Sequence, residues 1–270
     1  MTEILAVQFS PKTGDKKYNL NKVAEYIDSN SHNRLDLVVL SEFFSTGISH
    51  DAFVQMAEDE FGGETIKFLS ELAIKYHTNI ICGTVIEKCE DKYYNTTFVL
   101  NREGQIVGKY RKIHLYNYMG GKEGELITAG DKTVVVDLDF GKIGLAICFD
   151  IRYPQMFREL AQKGAEIIVL PTAWIIPKEV FENEQTRNYA RDMWIAMNRT
   201  RAYDNMIYTV ICDNTGRVDS DFSTLGCSMI ISPMAEVLAD AKFEQTAIYS
   251  QVDLGIVKLL KSQYPITSID

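Results

Sequence analysis

The sequence predicts an α/β fold in which a sheet covered by helices on one face occurs twice. Strand-like apolar runs alternate with segments of helical periodicity along most of the chain. The 270 residues are 46% hydrophobic, which is enough to form one large core. No linker, low-complexity tract or repeat of fixed period divides the chain. We therefore expect a single domain that spans residues 1–270.

The first half of the chain predicts an alternation of strands and helices that ends in a hairpin. Leu20, Val23 and Ile27 recur at the spacing of one helix face. Residues 101–104, Asn-Arg-Glu-Gly, form a turn signal between two strand-like runs. The predicted elements are strand Ile4–Phe9, helix Tyr18–Ser29, strand Leu35–Leu40, helix Glu64–His77, and strands Ile80–Ile86, Tyr93–Leu100 and Gln105–Lys109.

The second half predicts another hairpin and two further strand–helix pairs. A turn at residues 139–141 separates two apolar runs. Pro154 favours the start of a helix because the first turn does not need its missing N–H, and Gly164 favours the helix end. The predicted elements are strands Val134–Leu138 and Lys142–Ile147, helix Pro154–Lys163, strand Glu166–Leu170, helix Glu184–Asp204, and strands Met206–Cys212, Cys227–Ile231, Glu236–Ala239 and Thr246–Val252.

The charge and composition of the chain argue against several classes of partner. A net charge of −9 and a pI near 5.1 disfavour nucleic acid and anionic membranes. No apolar run approaches the roughly 20 residues that span a bilayer, and the N-terminus lacks the basic start of a signal peptide. Five cysteines without a C-x-x-C pair predict reduced thiols and a cytoplasmic location.

The sequence predicts no metal or organic cofactor. The four histidines are scattered without metal-ligand spacing. Neither G-x-G-x-x-G nor a P-loop pattern is present, which disfavours a nucleotide-dependent enzyme. These patterns therefore argue against a zinc site and against nucleotide-dependent chemistry.

Cys148 lies where a predicted strand ends and a predicted helix is about to begin. In open α/β sheets, ligands bind beyond the carboxyl ends of the strands, and helix-start N–H groups favour a thiolate. Cys148 is thus a candidate nucleophile. A buried core cysteine is the alternative, because free cysteine is among the most buried residue types.

Two more strand ends carry groups that could assist a thiol. Glu42 follows the strand that ends at Leu40, and burial there would raise its pKa into the range of a general base. Lys112 follows the strand at residues 105–109 and could stabilise an oxyanion. The alternatives are a capping or surface carboxylate for Glu42, and a solvated basic run for Lys112.

Three segments together resemble the nitrilase superfamily of carbon–nitrogen hydrolases. They are LVVLSEFFSTG, GKYRKIHLY and GLAICFDIRYP, in this order. Further segments such as AEIIVLPTAW, RTRAYDN and GCSMIISPMAEVLA extend the resemblance from about residue 3 to about residue 255. The resemblance implies a Glu42–Lys112–Cys148 triad, a four-layer α-β-β-α sandwich, a homodimer or higher homo-oligomer, and no cofactor.

The resemblance also implies a second glutamate, seven residues before the glycine of a Gly-Asp pair. Gly130-Asp131 places this residue at Glu123, with Glu125 as a close rival. Glu123 would position the substrate or Lys112. In the implied mechanism, Glu42 takes the thiol proton, Cys148 forms a thioester, and water releases the acid.

The residues around the nucleophile narrow the expected reaction. Nitrilases of the superfamily typically carry Cys-Trp-Glu, whereas Cys148-Phe149-Asp150 is similar to the amidase and carbamoylase branches. The run through Arg152 to Pro154 is similar to the omega-amidase-like branch, which acts on monoamides of dicarboxylic acids and releases ammonia. N-carbamoyl amines or amino acids are the alternative substrates, and nitrilase or acyltransferase activity is more remote.

Some residue roles stay open at this point. Phe149, Arg152 and Trp174 are the candidates for substrate contact, although Arg152 could instead form a structural ion pair. A Cys–His hydrolase with His114 as its base is a rival reading of the chemistry. A binding protein that keeps the fold without turnover is a second rival.

Overall fold

The structure is a computed structural model that describes residues 1–32, 34–59, 61–118 and 121–265. Its helices agree with the predicted ones to within about two residues, and three more are present. The helices are α1 Lys16–Asn30, α2 His50–Met56, α3 Glu64–Tyr76, α4 Pro154–Gln162, α5 Lys178–Glu182, α6 Glu184–Asn205 and α7 Leu254–Gln263.

The strands form two large sheets and one small sheet. The first sheet contains β1 Thr2–Gln8, β2 Leu37–Leu40, β3 Glu58–Asp59, β4 Asn79–Ile81, β5 Val85–Cys89, β6 Lys92–Leu100, β7 Ile106–Arg111 and, in chain order, β17 Thr246–Val252. The second contains β8 Val134–Leu138, β9 Gly141–Leu145, β10 Ile167–Thr172, β12 Tyr208–Asp213, β15 Met229–Ile231 and β16 Val237–Asp240. The small sheet contains β11 Ile175–Pro177, β13 Thr215–Arg217 and β14 Phe222–Leu225.

Each large sheet has a parallel centre with antiparallel strands around it. In the first sheet the order is β17-β1-β2-β4-β6-β5-β3, with β7 also paired to β6. Strands β1, β2 and β4 are parallel to one another. In the second sheet the order is β16-β15-β12-β10-β9-β8, and β9, β10 and β12 are parallel. The carboxyl ends of these parallel strands form the edge on which the candidate site is built.

The four layers follow from the alternation of side chains along the strands. Ile4 and Ala6 of β1 share a core with residues of the second sheet such as Leu145, so the two sheets face each other. Leu5 and Val7, which point the other way, pack with α1 and α3. Helices α4 and α6 pack against β9 and β12 on the far face of the second sheet. The order of layers is therefore helix, sheet, sheet, helix.

The predicted strand Ile80–Ile86 is interrupted in the structure. It divides into β4 and β5, and Gly83 between them has a φ of +52°. A Cβ atom at Gly83 would collide with the carbonyl oxygen of Ser41. The chain therefore turns at a glycine because the neighbouring backbone, next to Glu42, approaches it closely.

Candidate active site

Glu42 lies immediately beyond the carboxyl end of β2, and its side chain is buried. Its Oε1 atom accepts hydrogen bonds from Lys112 Nζ at 2.9 Å and from Asn95 Nδ2 at 2.8 Å. Its Oε2 atom accepts the N–H of Ala173 at 2.8 Å. Burial raises the pKa of Glu42 above its usual value, although the charge of Lys112 opposes the shift. Such a carboxyl group is suited to general acid–base work.

Lys112 follows β7 and holds a buried ammonium group between two carboxyl groups. Besides Glu42, its Nζ atom contacts both oxygens of Glu123, at 2.9 and 3.1 Å. Burial alone would lower the pKa of Lys112, but the charges of Glu123 and Glu42 outweigh it and hold that pKa well above the usual value. Lys112 is therefore a fixed positive charge.

Glu123 begins a short 3₁₀ turn, and its carboxylate points inward. In addition to Lys112, it accepts the Asn95 Nδ2 hydrogen at 2.9 Å and the Tyr116 N–H at 2.7 Å. The rival Glu125 is 62% exposed and pairs with Lys122 at 3.3 Å on the surface. Of the two predicted positions, the structure brings only Glu123 to Lys112.

Cys148 starts the 3₁₀ turn Cys148–Arg152, just beyond β9, in the left-handed conformation with φ of +45°. A non-glycine residue in this region carries backbone strain, which proteins retain mainly at functional sites. The thiol is buried and donates to the carbonyl oxygen of Ala173 at 3.9 Å. Burial, together with the charge of Glu42, raises the pKa of the thiol well above its usual value. The free thiol is therefore protonated at neutral pH.

Asp150 holds the turn that presents Cys148. Its Oδ2 atom accepts the Ile147 N–H at 2.8 Å and the Tyr110 hydroxyl at 2.6 Å. Its Oδ1 atom accepts the His114 N–H at 3.1 Å and lies 2.7 Å from His114 Nδ1. The His114 ring also stacks on Tyr153. Within the described residues, the recorded contacts of His114 support the turn and do not include Cys148, which disfavours a Cys–His reaction.

Ala173 connects the candidate base with the candidate nucleophile. Its N–H donates to Glu42 Oε2, and its carbonyl accepts from Cys148 Sγ. A single residue thus contacts both groups, and it lies directly after β10. Asn214, after β12, adds a second anchor by donating to the Glu42 carbonyl at 2.7 Å.

The predicted substrate-contact residues have three different surroundings. Phe149 packs edge-on against Tyr116, with ring centroids 5.4 Å apart. Trp174 follows Ala173 and packs on the buried Trp194, with centroids 4.5 Å apart. Arg152 is exposed, its Nη1 atom lies 3.7 Å from Met197 Sδ, and it forms no ion pair with a described residue. The structural ion pair considered for Arg152 is therefore absent from the described contacts.

Sequence reasoning missed Asn95, Ala173, Asp213 and Asn214, although one of them left a signal. Asn95 is an amide in the middle of the otherwise β-prone run KYYNTTFVL, where a polar side chain needs a specific partner. Ala173 acts through its backbone, which no side-chain pattern reveals.

In the described part of the chain, no cluster of three metal-ligating side chains occurs and no helix is long and apolar enough to cross a membrane.

The fold agrees with comparisons against known proteins. A family model described as carbon-nitrogen hydrolase matches residues 4–262. Omega-amidase NIT2-B of Xenopus laevis is 32% identical over 267 residues, which are 96% of this chain and 91% of the relative. The 2-oxoglutaramate amidase of Bacillus subtilis is 29% identical, over 97% of this chain and 95% of the relative.

Solved structures of the same architecture superpose over nearly the whole chain. Saccharomyces cerevisiae Nit3, a member of branch 10 of the nitrilase superfamily, has a TM-score of 0.85 and 28% identity, and covers 99% of this chain and 95% of its own. A carbon–nitrogen hydrolase from Helicobacter pylori has a TM-score of 0.88 and 25% identity, over 98% of this chain and 94% of its own.

These findings define the chain as a carbon–nitrogen hydrolase with the α-β-β-α sandwich of its class. The chain belongs to the carbon–nitrogen hydrolase family, because the family model covers almost all of it. The predicted superfamily, fold class and omega-amidase-like hydrolysis of non-peptide carbon–nitrogen bonds are confirmed.

Proposed function

We propose that the protein hydrolyses the terminal amide of a small dicarboxylic acid monoamide, through a thioester on Cys148. The observation that carries the proposal is the buried cluster of Glu42, Lys112 and Glu123 beside the strained turn of Cys148. The relatives named as omega-amidases and as 2-oxoglutaramate amidase support this substrate class. An N-carbamoyl amine or amino acid is the runner-up, as the sequence predicted.

In the proposed first step, Glu42 removes the thiol proton as Cys148 Sγ attacks the amide carbon. A base is needed because burial keeps the thiol protonated. The raised pKa of Glu42 matches this task. The negative charge that develops on the carbonyl oxygen is stabilised by the Lys112 ammonium and by the backbone N–H that follows the cysteine.

In the second step, Glu42 returns its proton to the departing nitrogen, and the carbon–nitrogen bond breaks. Ammonia leaves, and the acyl group remains on Cys148 as a thioester. Glu42 then takes a proton from a water molecule that attacks the thioester carbon. As this second tetrahedral intermediate collapses, the carbon–sulfur bond breaks, Glu42 returns its proton to Cys148 Sγ, and the carboxylic acid is released.

Glu123 is proposed to position Lys112 rather than to exchange protons. It contacts the Lys112 ammonium with both oxygens, while the Tyr116 N–H and Asn95 hold it in place. A long, flexible lysine side chain is thereby kept in one direction. The positive charge is preorganised before the oxyanion forms, which is the main requirement for electrostatic stabilisation.

The proposed assembly is a homodimer that uses one face of α6. Tyr189, Met193, Ala196 and Tyr203 are all exposed, and they recur at the spacing of one helix face. A row of exposed apolar side chains on one helix face is typical of a protein interface, and here the row is interrupted by Thr200. The cytoplasmic location also stays a proposal, supported by five cysteines that form no disulfide among the described residues.

The proposed reaction is tested by ammonia release from a panel of small amides, ureido acids and nitriles. We expect release from dicarboxylic acid monoamides by the wild type and by the control Cys89→Ser, and none by Cys148→Ala. Turnover of nitriles without amides would overturn the proposed reaction. Turnover of ureido acids alone would favour the carbamoyl alternative, and a product formed with an added amine would indicate acyl transfer.

A further inference from the structure

Asp213 is a buried acid beside the site that the proposed mechanism does not use. It ends β12, and its exposed fraction is 0%. Its Oδ1 atom accepts the Trp174 N–H at 2.9 Å. Its Oδ2 atom is buried and has no hydrogen-bond partner among the described residues, and no ion pair recorded there includes Asp213. An ionised carboxylate in such a place would be expensive, because buried charges are normally paired.

One hydrogen bond links Asp213 to the segment that connects the base and the nucleophile. Trp174, whose N–H donates to Asp213, directly follows Ala173, which contacts both Glu42 and Cys148. The other end of this segment is held as well, because Thr172 O accepts the N–H groups of Glu42 and of Asn214, at 3.2 and 3.3 Å. Loss of the Asp213 acceptor would therefore leave the Trp174 N–H, next to the Ala173 peptide, without this partner.

The electrostatic surroundings of Asp213 favour its neutral form. The titratable groups that interact with it are Glu42 and the thiols of Cys148, Cys212 and Cys227, and none of these is a cation. Burial raises the pKa of the Asp213 carboxyl well above its usual range, and the charge of Glu42 adds to the shift, while the backbone N–H groups of Trp174 and Asn214 oppose it. The nearby Lys112 ammonium contacts the two glutamates instead.

We propose that Asp213 is a positioning residue of the active site that works as a neutral carboxylic acid. It accepts the Trp174 N–H, and so holds Ala173 against Glu42 and Cys148, without placing another negative charge near the thiol. An ionised Asp213 would oppose formation of the thiolate. The inference rests on the proposed role of Cys148 as the nucleophile.

The first test uses Asp213→Asn, which keeps an acceptor for the Trp174 N–H and is always neutral, against Asp213→Ala, which removes the acceptor. The rate of alkylation of Cys148 by iodoacetamide is measured against pH, with Cys148→Ala as the background. We expect Asp213→Asn to match the wild type at neutral pH. For Asp213→Ala we expect kcat to fall by about 10- to 100-fold with little change in KM, the scale of a misplaced catalytic group.

The second measurement is the infrared absorption of protonated carboxylic acids at neutral pH. We expect the wild type to show a band that is missing in Asp213→Asn. Either of two results would overturn the proposal: identical spectra, or alkylation that is faster in Asp213→Asn, because the wild-type residue would then be charged. If Asp213→Ala does not fold, the infrared and alkylation comparisons between the wild type and Asp213→Asn are sufficient to test the proposal. Neither the alkylation rate nor the infrared spectrum needs a substrate. Failure of the Asp213 proposal can therefore be told apart from failure of the proposed amidase reaction.

Discussion

At the residue scale, Glu42 and Lys112 are buried side by side, and the charge of each shifts the pKa of the other. Without Lys112, burial would favour an uncharged Glu42, and without the two glutamates, burial would favour an uncharged Lys112. Their contact keeps an ammonium group in the interior beside a carboxyl group whose pKa stays raised. The proposed general base and the proposed oxyanion-stabilising charge thus lie 2.9 Å from each other.

The role of Glu42 as a base is tested by Glu42→Gln. The amide keeps the shape and one acceptor oxygen for Lys112 but cannot take a proton. We expect kcat to fall by about 10²- to 10⁴-fold, the usual contribution of general acid–base catalysis. Steady-state ammonia release measures the effect. The control is Glu125→Gln, at the exposed alternative glutamate, which should keep wild-type activity. A Glu42→Gln enzyme as active as this control would refute the role of Glu42 as the base.

The burial of Asp213 predicts a pH-dependent stability. Its folded pKa is raised above the unfolded value of 3.8, so its contribution to stability is complete below that value and is lost as pH rises toward the folded pKa. Asp213→Asn should therefore be more stable than the wild type at alkaline pH. The difference should grow by up to about 1.4 kcal/mol per pH unit within this window.

Urea unfolding at a series of pH values measures this difference. The free energies of unfolding of the two proteins should converge as the pH falls toward the unfolded pKa of the aspartate. A difference that stays constant with pH would show that the carboxyl group titrates normally in the folded protein.

At the scale of secondary-structure elements, the candidate catalytic groups lie on the short connections after the strands rather than on the strands themselves. Glu42, Lys112, Cys148 and Ala173 each lie within three residues of a strand end, and the strands belong to two different sheets. The N–H of Glu42 donates to Thr172 O and so joins the end of β2 to the end of β10. The sheets bring the ends together, and the turns then direct the side chains.

The close approach at Gly83 predicts a coupled effect on stability and activity. In Gly83→Ala, the new methyl group would collide with Ser41 O, the residue before Glu42. We expect a cost of about 1–2 kcal/mol for the left-handed backbone and about 1–3 kcal/mol more for overpacking, with a reduced kcat.

The matched control for this substitution is Gly14→Ala. Gly14 also has a positive φ, of +78°, but open space surrounds the position of its Cβ. The Gly14→Ala variant should lose only the stability that the left-handed backbone costs, as measured by thermal unfolding. Its kcat for ammonia release should be unchanged. Equal effects of the two substitutions would mean that the contact with Ser41 is not what requires glycine at residue 83.

The sequence predicted the long periodic elements better than the short ones. The predicted helix Glu184–Asp204 is α6 to within one residue, because its length and its caps are evident. The helices α2, α5 and α7 were missed. α2 and α5 are only seven and five residues long, too short for a periodicity to be recognised. The strands β11, β13 and β14 were missed because their pairing depends on partners distant in sequence.

At the scale of the whole molecule, α6 exposes a row of apolar side chains on the face that points away from the second sheet. The opposite stripe of the helix, which includes Trp194, Asn198 and Ala202, is buried against the second sheet and its neighbours. Water would otherwise cover the aromatic and methionine side chains of the exposed row. A second copy of the chain, applied through the same face, would bury both rows symmetrically.

This assembly predicts that Met193→Glu dissociates the protein. Met193 lies in the middle of the row and is 49% exposed in the single chain, so a glutamate there is tolerated by the monomer and opposed by the interface. Light scattering coupled to gel filtration should give the mass of a dimer for the wild type and a smaller mass for the variant. Ile74→Glu, on the exposed side of α3, should leave the mass unchanged; a monomeric wild type would refute the assembly.

The sequence by itself determined the family and the alternation of elements and named Glu42, Lys112 and Cys148 as candidates, because these depend on local patterns and on motifs that stay together along the chain. Only the tertiary structure showed that Glu123 contacts Lys112 while Glu125, two positions along the chain and of the same chemistry, pairs with Lys122. It also revealed Asn95, Ala173 and Asp213, which lie on or just after separate strands and act through one or two hydrogen bonds each. Such contacts form between residues up to 131 positions apart, and no pattern along one chain encodes the direction of a side chain in space.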